Sequence, residues 1–412
     1  MNSGTDDRTE PEPILSGDRG TPEEAGNPRD QVEVITTDVL VIGGGMAGVG
    51  AAYELSADLD VVLVEAEATL AYHTTGRSAA LFAESYGPRP IRALTAAGRD
   101  FITSPPEGLA EFPLLEPLPT LFVTDDPGAP LLEELAETIG DVVDDVRHLS
   151  GEDLARTAPM LAPHITHGLV DGGSLALDVA GLHQVFVKGA RRRGARIETS
   201  APVTSLRREN DHWVATAGPL TVEAGVIVNA AGAWGDRIAE LAGVAPVGLT
   251  PLRRTAFVVK RPPELEDTPL PAVVDGGRPE TWYVKPEPGL LLCSPADETP
   301  SEPCDARPEE IDVALGIDRV NHNTTLGIRH VVRAWAGLRT FAPDRLPVVG
   351  FDPDVEGFMW LVGQGGYGIQ SSPGMSRLCA SLVRGLGVPG DLIALGLDPG
   401  EISPSRFADR RG

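Results

Sequence analysis

Cysteine is almost absent from this chain of 412 residues, which holds only Cys293, Cys304 and Cys379. None sits in a CxxC pair or at a Cys/His ligand spacing, which excludes a zinc module and a disulfide framework and points to a reducing compartment. Lysine is equally scarce, at Lys188, Lys260 and Lys285, so nearly all positive charge is arginine, whose planar fork suits carboxylates. Basic residues number 34 against 60 acidic ones, for a net charge of −26, and they form no run. A nucleic-acid partner is thereby excluded, since phosphate binding needs a basic face. Long apolar runs are missing too, and the opening stretch Met1 to Asp30 is acidic rather than a basic leader followed by an apolar core. The expectation is a soluble, unexported, cytoplasmic protein without a transmembrane segment.

What is present is enough apolar material, 42% of residues, to bury the cores of two or three domains of roughly 150 residues each. Residues 1–33 are rich in Pro, Gly, Asp and Glu and read as a disordered acidic tail. Thr37 to Ile42 then forms an apolar run, followed by glycines, an Ala-rich segment Met46 to Ala57 and a second apolar run Val61 to Val64, which is a βαβ unit. Comparable strand-to-helix patterns recur at Gly225 to Ala242 and from Gly357 to Arg384. Between them lie Pro-punctuated short strands such as Thr255 to Lys260 and Trp282 to Lys285. The expected fold is α/β, with a Rossmann-like cofactor domain (34–110 with 175–245 and 335–412) interleaved with an α+β substrate domain (111–174 with 246–334) on a largely antiparallel sheet.

Gly43, Gly45 and Gly48 satisfy G-x-G-x-x-G between the first strand and its helix, with Met46 and Ala47 at the helix start. The first glycine permits the tight turn, the second the approach of a pyrophosphate, the third close helix packing. The helix N-terminus then offers free N–H groups to negative charge. Glu65 ends the next strand near the roughly 20-residue spacing of an acid that binds a ribose hydroxyl. This motif alone does not choose between NAD and FAD. Thr75, Gly76, Arg77 and Ser78 look like a second phosphate-proximal turn that enters a helix.

Longer stretches are more specific than the glycine motif. Tyr72 to Ala80, Arg92 to Ala97, Val228 to Trp234, Trp335 to Arg339 and Gln364 to Gln370 resemble the D-amino acid oxidase superfamily of flavoproteins, and within it the bacterial D-arginine dehydrogenases, from about Asp38 to Arg406. The resemblance implies FAD, with the flavin where the two domains meet. It implies backbone contact of Val203 with the adenine and of the loop Gly365, Gly366, Tyr367, Gly368 and Ile369 with the flavin ring, where N–H groups can stabilise charge gathered on reduction. Gly232 falls in another matching stretch. No cysteine or histidine occupies the distal loop, so the FAD is expected to be noncovalent, with His73 the one nearby residue that could upset this.

Oxidation of an amino acid by a flavin needs a fixed Cα–H, a neutral amine and a clamp on the carboxylate. Arg339 matches the family's carboxylate-binding arginine, and Arg253 or Arg254 a second one; a planar fork meets a carboxylate bidentately. Tyr283 and Tyr86 match substrate-facing tyrosines. Two departures bear on the substrate. Leu81 stands where the D-arginine enzymes have a histidine, and Thr120 where they have the glutamate that holds the guanidinium. Without that acid a buried guanidinium lacks a partner. The expectation is therefore a neutral D-amino acid, oxidised to the imine and hydrolysed to the 2-oxo acid and ammonia, with O2 or a quinone-like carrier reoxidising the flavin. The alternatives are a secondary amine or 2-hydroxy acid as substrate, or a flavin subunit of an amine-oxidising complex.

Overall fold

The computed structural model describes residues 33–140, 142–277 and 279–410. The expected acidic tail lies outside the described residues except for Glu33, which opens the first strand. Among the described residues, no helix is long and apolar enough to cross a membrane.

Two large sheets organise the chain. The first has eight strands around Glu33–Ile42, which runs parallel to Leu220–Asn229 on one side and to Val61–Val64 on the other. Arg196–Glu198 and Phe358–Val362 extend the parallel part, and the strands Val203–Glu209 and His212–Ala217 add an antiparallel edge. Leu40 to Ile42 and Val61 to Val64 are buried throughout, as strands covered on both faces must be. Helix Met46–Leu55 packs on this sheet and against helices Val179–Arg192 and Ser372–Val383. Its small residues permit that closeness. A Cβ on Gly48 would stand 1.8 Å from the carbonyl oxygen of Gly43, itself at φ +112°, so the turn and the helix can close on each other only with both glycines.

The second sheet has nine strands drawn from Thr120–Thr124, Val146–Ser150, His167–Asp171 and the stretch Thr250 to Phe341. It is antiparallel except where Ala272–Asp275 runs parallel to Thr120–Thr124. Phe257, Val273, Trp282, Val284 and Leu291 form its core. Strand Arg333–Phe341 pairs along its length with Thr250–Lys260. The domain boundary expected after residue 334 therefore runs through this strand, whose pairing carries the second sheet on to Phe341. The turn at 74–77 is a single 3-10 turn followed by extended chain rather than the start of a helix.

The two sheets meet through that turn. The Thr74 hydroxyl donates to the Leu338 carbonyl, the Trp335 indole donates to the Arg77 carbonyl, and the Arg77 guanidinium donates to the carbonyls of Ala306 and Ala336. The turn is thus stitched to the last strand of the second sheet.

Candidate active site

A cavity of about 460 Å³ opens along this seam, within the usual range of a ligand site of roughly 300–1,000 Å³. It is lined by the glycine turn, with Gly43, Gly45, Met46, Ala47 and Glu65, by Thr75, Arg77, Ser78, Val203 and Gly232, and by Gly365, Gly366, Gly368 and Ile369. Three residues expected at the cofactor do not line it. Gly48 is spent on the contact with Gly43, and a Cβ on Gly76 would stand 2.4 Å from the Ala71 carbonyl, so both serve backbone packing. The Tyr367 ring turns away to pack on Tyr86, with ring centres 5.1 Å apart.

The expected contacts are qualified in their details. Glu65 lines the cavity, and its carboxylate also accepts from the N–H groups of Gly44 at 2.6 Å and Glu67 at 2.9 Å, so the acid braces the turn it faces. The Met46 N–H donates to the Thr75 hydroxyl at 3.0 Å, which joins the two loops. The Arg77 guanidinium is engaged by the carbonyls of Tyr72, Ala306 and Ala336 and by Asp305.

Sequence reasoning passed over Trp234, which stands against His73 with ring centres 4.6 Å apart. His73 Nε2 is 2.9 Å from Glu67, while its Nδ1 is buried without a partner. Nη1 of Arg254, which also lines the cavity, is buried and equally unpartnered. Leaving a buried polar atom unpaired costs about 1–3 kcal/mol, so a polar ligand in the cavity would relieve the deficit at His73. The glycine turn, the bracing acid and the His73 nitrogen fit FAD in the cavity.

A second cavity of about 110 Å³ adjoins the first and shares Ser78, Ala79, Arg254, Tyr283, Arg339, Gly366 and Ile369 with it. Arg254, Arg339 and Tyr283 thus stand on the common wall. Successive side chains of a strand point to opposite faces, and this separates the adjacent arginines. Arg254 enters both cavities, held through Nε by the Asp297 carbonyl at 2.7 Å. Arg253, offered as an alternative substrate arginine, lines neither; it is engaged by Glu309 and Asp312 instead.

Tyr86 lines the second cavity alone, and burial, reinforced by Glu280, pushes its phenol well above the usual tyrosine range, so it stays protonated. Burial works against the charge of both arginines. For Arg254 it prevails, together with repulsion from Arg339, and lowers the group. For Arg339, Tyr86, Tyr283 and Glu280 outweigh burial and raise it.

Leu81 and Thr120 also line the second cavity, with Phe122, Val273 and Val274. Thr120 accepts from the Ser174 hydroxyl at 2.9 Å. Although position 120 carries no acid, two other acids, Asp171 and Glu280, line the cavity. Asp171 is taken by the Ser85 hydroxyl and the Gly173 N–H. Glu84 and Glu116 do not enter the cavity; Glu84 is paired with Arg99.

A family model described as DAO, FAD dependent oxidoreductase, matches residues 38–382. Among curated proteins, the hydrogen cyanide synthase subunit HcnC of Pseudomonas aeruginosa is 26% identical over 284 residues, 66% of this chain and 64% of that protein. Mitochondrial dimethylglycine dehydrogenase of Mus musculus is 26% identical over 265 residues, 59% of this chain. The chain spans less than two thirds of the length of these relatives, 64% of the first and 29% of the second. Among solved structures, glycine oxidase from Geobacillus kaustophilus aligns at 21% identity with a TM-score of 0.77, covering 88% of this chain and 99% of that one. L-alpha-glycerophosphate oxidase from Mycoplasma pneumoniae with FAD bound aligns at 22% identity and 0.76, covering 85% and 95%. These likenesses establish the fold.

Proposed function

The chain belongs to the DAO family of FAD-dependent oxidoreductases, and on that premise we propose that it oxidises the C–N bond of a D-amino acid with a neutral side chain to the imine, which water converts to the 2-oxo acid and ammonia. Its cofactor is FAD, which when bound supplies the two-electron acceptor. The observation that carries the reading is the convergence of Arg339, Arg254 and Tyr283 on the wall shared by the two cavities. Two guanidinium groups at one wall suit a carboxylate, and Nη1 of Arg254 has a donor to spare. Clamped there, the substrate carboxylate would fix its Cα at the mouth of the larger cavity, beside Gly366 and Ile369, with the side chain directed past Leu81, Phe122 and Val274. Tyr86 and Tyr283 complete the polar wall.

The D configuration rests on the family resemblance. The amine centre is supported by the names of the relatives, a dimethylglycine dehydrogenase and a glycine oxidase. The first of these also favours a second reading, oxidation of a secondary or tertiary amine that carries a carboxylate, and the cyanide synthase subunit favours work within a complex. Oxidation of a C–O centre has the glycerophosphate oxidase in its support. Anaerobic mixing with a panel of D- and L-amino acids, N-methylated amino acids and 2-hydroxy acids separates these readings. Bleaching of the yellow chromophore by D-amino acids is the expected outcome, and bleaching by hydroxy acids alone would overturn it.

A further inference from the structure

The smaller cavity contains one carboxylate that nothing so far employs. Glu280 lies in the turn between strands Ala272–Asp275 and Tyr283–Glu287. Asp275 pins that turn, accepting from the N–H groups of Gly277 and Thr281 and from the Thr281 hydroxyl. The backbone around Glu280 is thus fixed while its side chain enters the cavity. Among the described residues its carboxylate has no hydrogen-bond partner and no cation within 4.0 Å. Yet it shares the cavity with Arg254 and Arg339 and feels both. Burial raises its carboxyl above the usual range even against the pull of those two guanidiniums.

A cavity with guanidiniums on one wall and an unpaired carboxylate facing the same space is bipolar. A ligand with an anionic and a cationic group on one carbon satisfies both ends at once. A 2-hydroxy acid of the same skeleton satisfies only the arginines, and a dicarboxylate sets like charge against Glu280. We propose that Glu280 receives the ammonium group of the substrate and takes the proton whose loss leaves the neutral amine for oxidation, and that this contact makes the pocket select zwitterionic α-amino acids over 2-hydroxy acids and dicarboxylates. The inference rests on the reading of the site as one for amino acid oxidation, and it deepens that reading by naming the group that tells an amine from a hydroxyl. With Glu280 occupied by the α-ammonium and Asp171 held by Ser85, no carboxylate remains for a basic side chain, which agrees with a neutral substrate.

The test uses the FAD-loaded enzyme and its Glu280→Gln variant, which keeps shape and removes charge. Anaerobic reduction by D-leucine and the Kd of D-2-hydroxy-4-methylpentanoate, followed by perturbation of the flavin spectrum, give the two readouts. D-leucine kcat/KM should fall about ten- to hundredfold while the hydroxy acid binds as well or better. Glu280→Asp, which retains the charge, should recover part of the discrimination. An equal loss for both ligands, or no change in either, would overturn the proposal while leaving amino acid oxidation intact. Failure of every amino acid to reduce the unaltered enzyme would instead overturn both.

Discussion

A Cβ on Gly366 would stand 2.9 Å from Nη1 and 3.0 Å from Cζ of Arg339. The glycine loop and the guanidinium are therefore fitted to each other, and the loop that faces the cofactor also sets where the substrate clamp rests. Gly366→Ala should push the guanidinium aside by several tenths of an ångström. The expected result is a fall in kcat/KM of at least about tenfold with FAD still bound, since small misplacements of a positioning group are amplified in rate. Steady-state kinetics beside the flavin absorbance of the purified variant decides it.

Arg339→Lys should lower kcat/KM for amino acids about ten- to hundredfold, because an ammonium cannot reproduce the two-pronged contact of a guanidinium. Turnover at the unaltered rate would move the carboxylate clamp elsewhere.

The neighbouring arginines should behave oppositely. Arg254→Ala removes a cation from the cavity wall and should depress kcat/KM at least about tenfold. Arg253→Ala strips Glu309 and the buried Asp312 of their partner, which should lower stability by roughly 1–3 kcal/mol and leave turnover near normal. Thermal unfolding and kinetics on the two variants separate these effects.

FAD should be released intact by acid or heat. His73 is the side chain to watch, since its Nδ1 lies buried and unpartnered on the cofactor cavity. Yellow colour that stays with the denatured chain, and leaves it in His73→Ala, would identify a covalent link through that side chain.

D-leucine and D-methionine should be better substrates than D-arginine. Leu81, Phe122 and Val274 favour an apolar side chain, and Thr120 is engaged by Ser174. Comparison of kcat/KM across the three substrates checks this, and D-arginine as the best of them would mean that Glu280 or Asp171 serves the side chain instead.

Much of the cofactor end was legible in the chain because it is local. The glycines, the strand before them and Glu65 lie within one βαβ unit, and their spacing carries the geometry. Arg339 was reached through a longer matching stretch and Tyr283 and Tyr86 through single matches to the family's tyrosines, and all three line a cavity. Adjacent Arg253 and Arg254 could not be told apart without the strand's orientation. Tyr367 belongs to the right loop, but its ring finds Tyr86, a partner 281 residues earlier in the numbering. Glu280 was invisible for a similar reason. It stands in a turn with no periodicity, and only folding brings it into one cavity with Arg254 and Arg339.

The hydrogen bond from Thr74 to Leu338 spans 264 positions of sequence, and that from Trp335 to Arg77 spans 258. These bonds join the walls of the larger cavity, so the cavity comes into being only when the two distant segments have met. Closing so long a loop is entropically expensive and must come before its reward. During synthesis the chain must therefore emerge past Leu338 before the seam can form, so the flavin is acquired only after that segment has met the turn. A chain cut before residue 330 would retain the glycine turn and still emerge colourless.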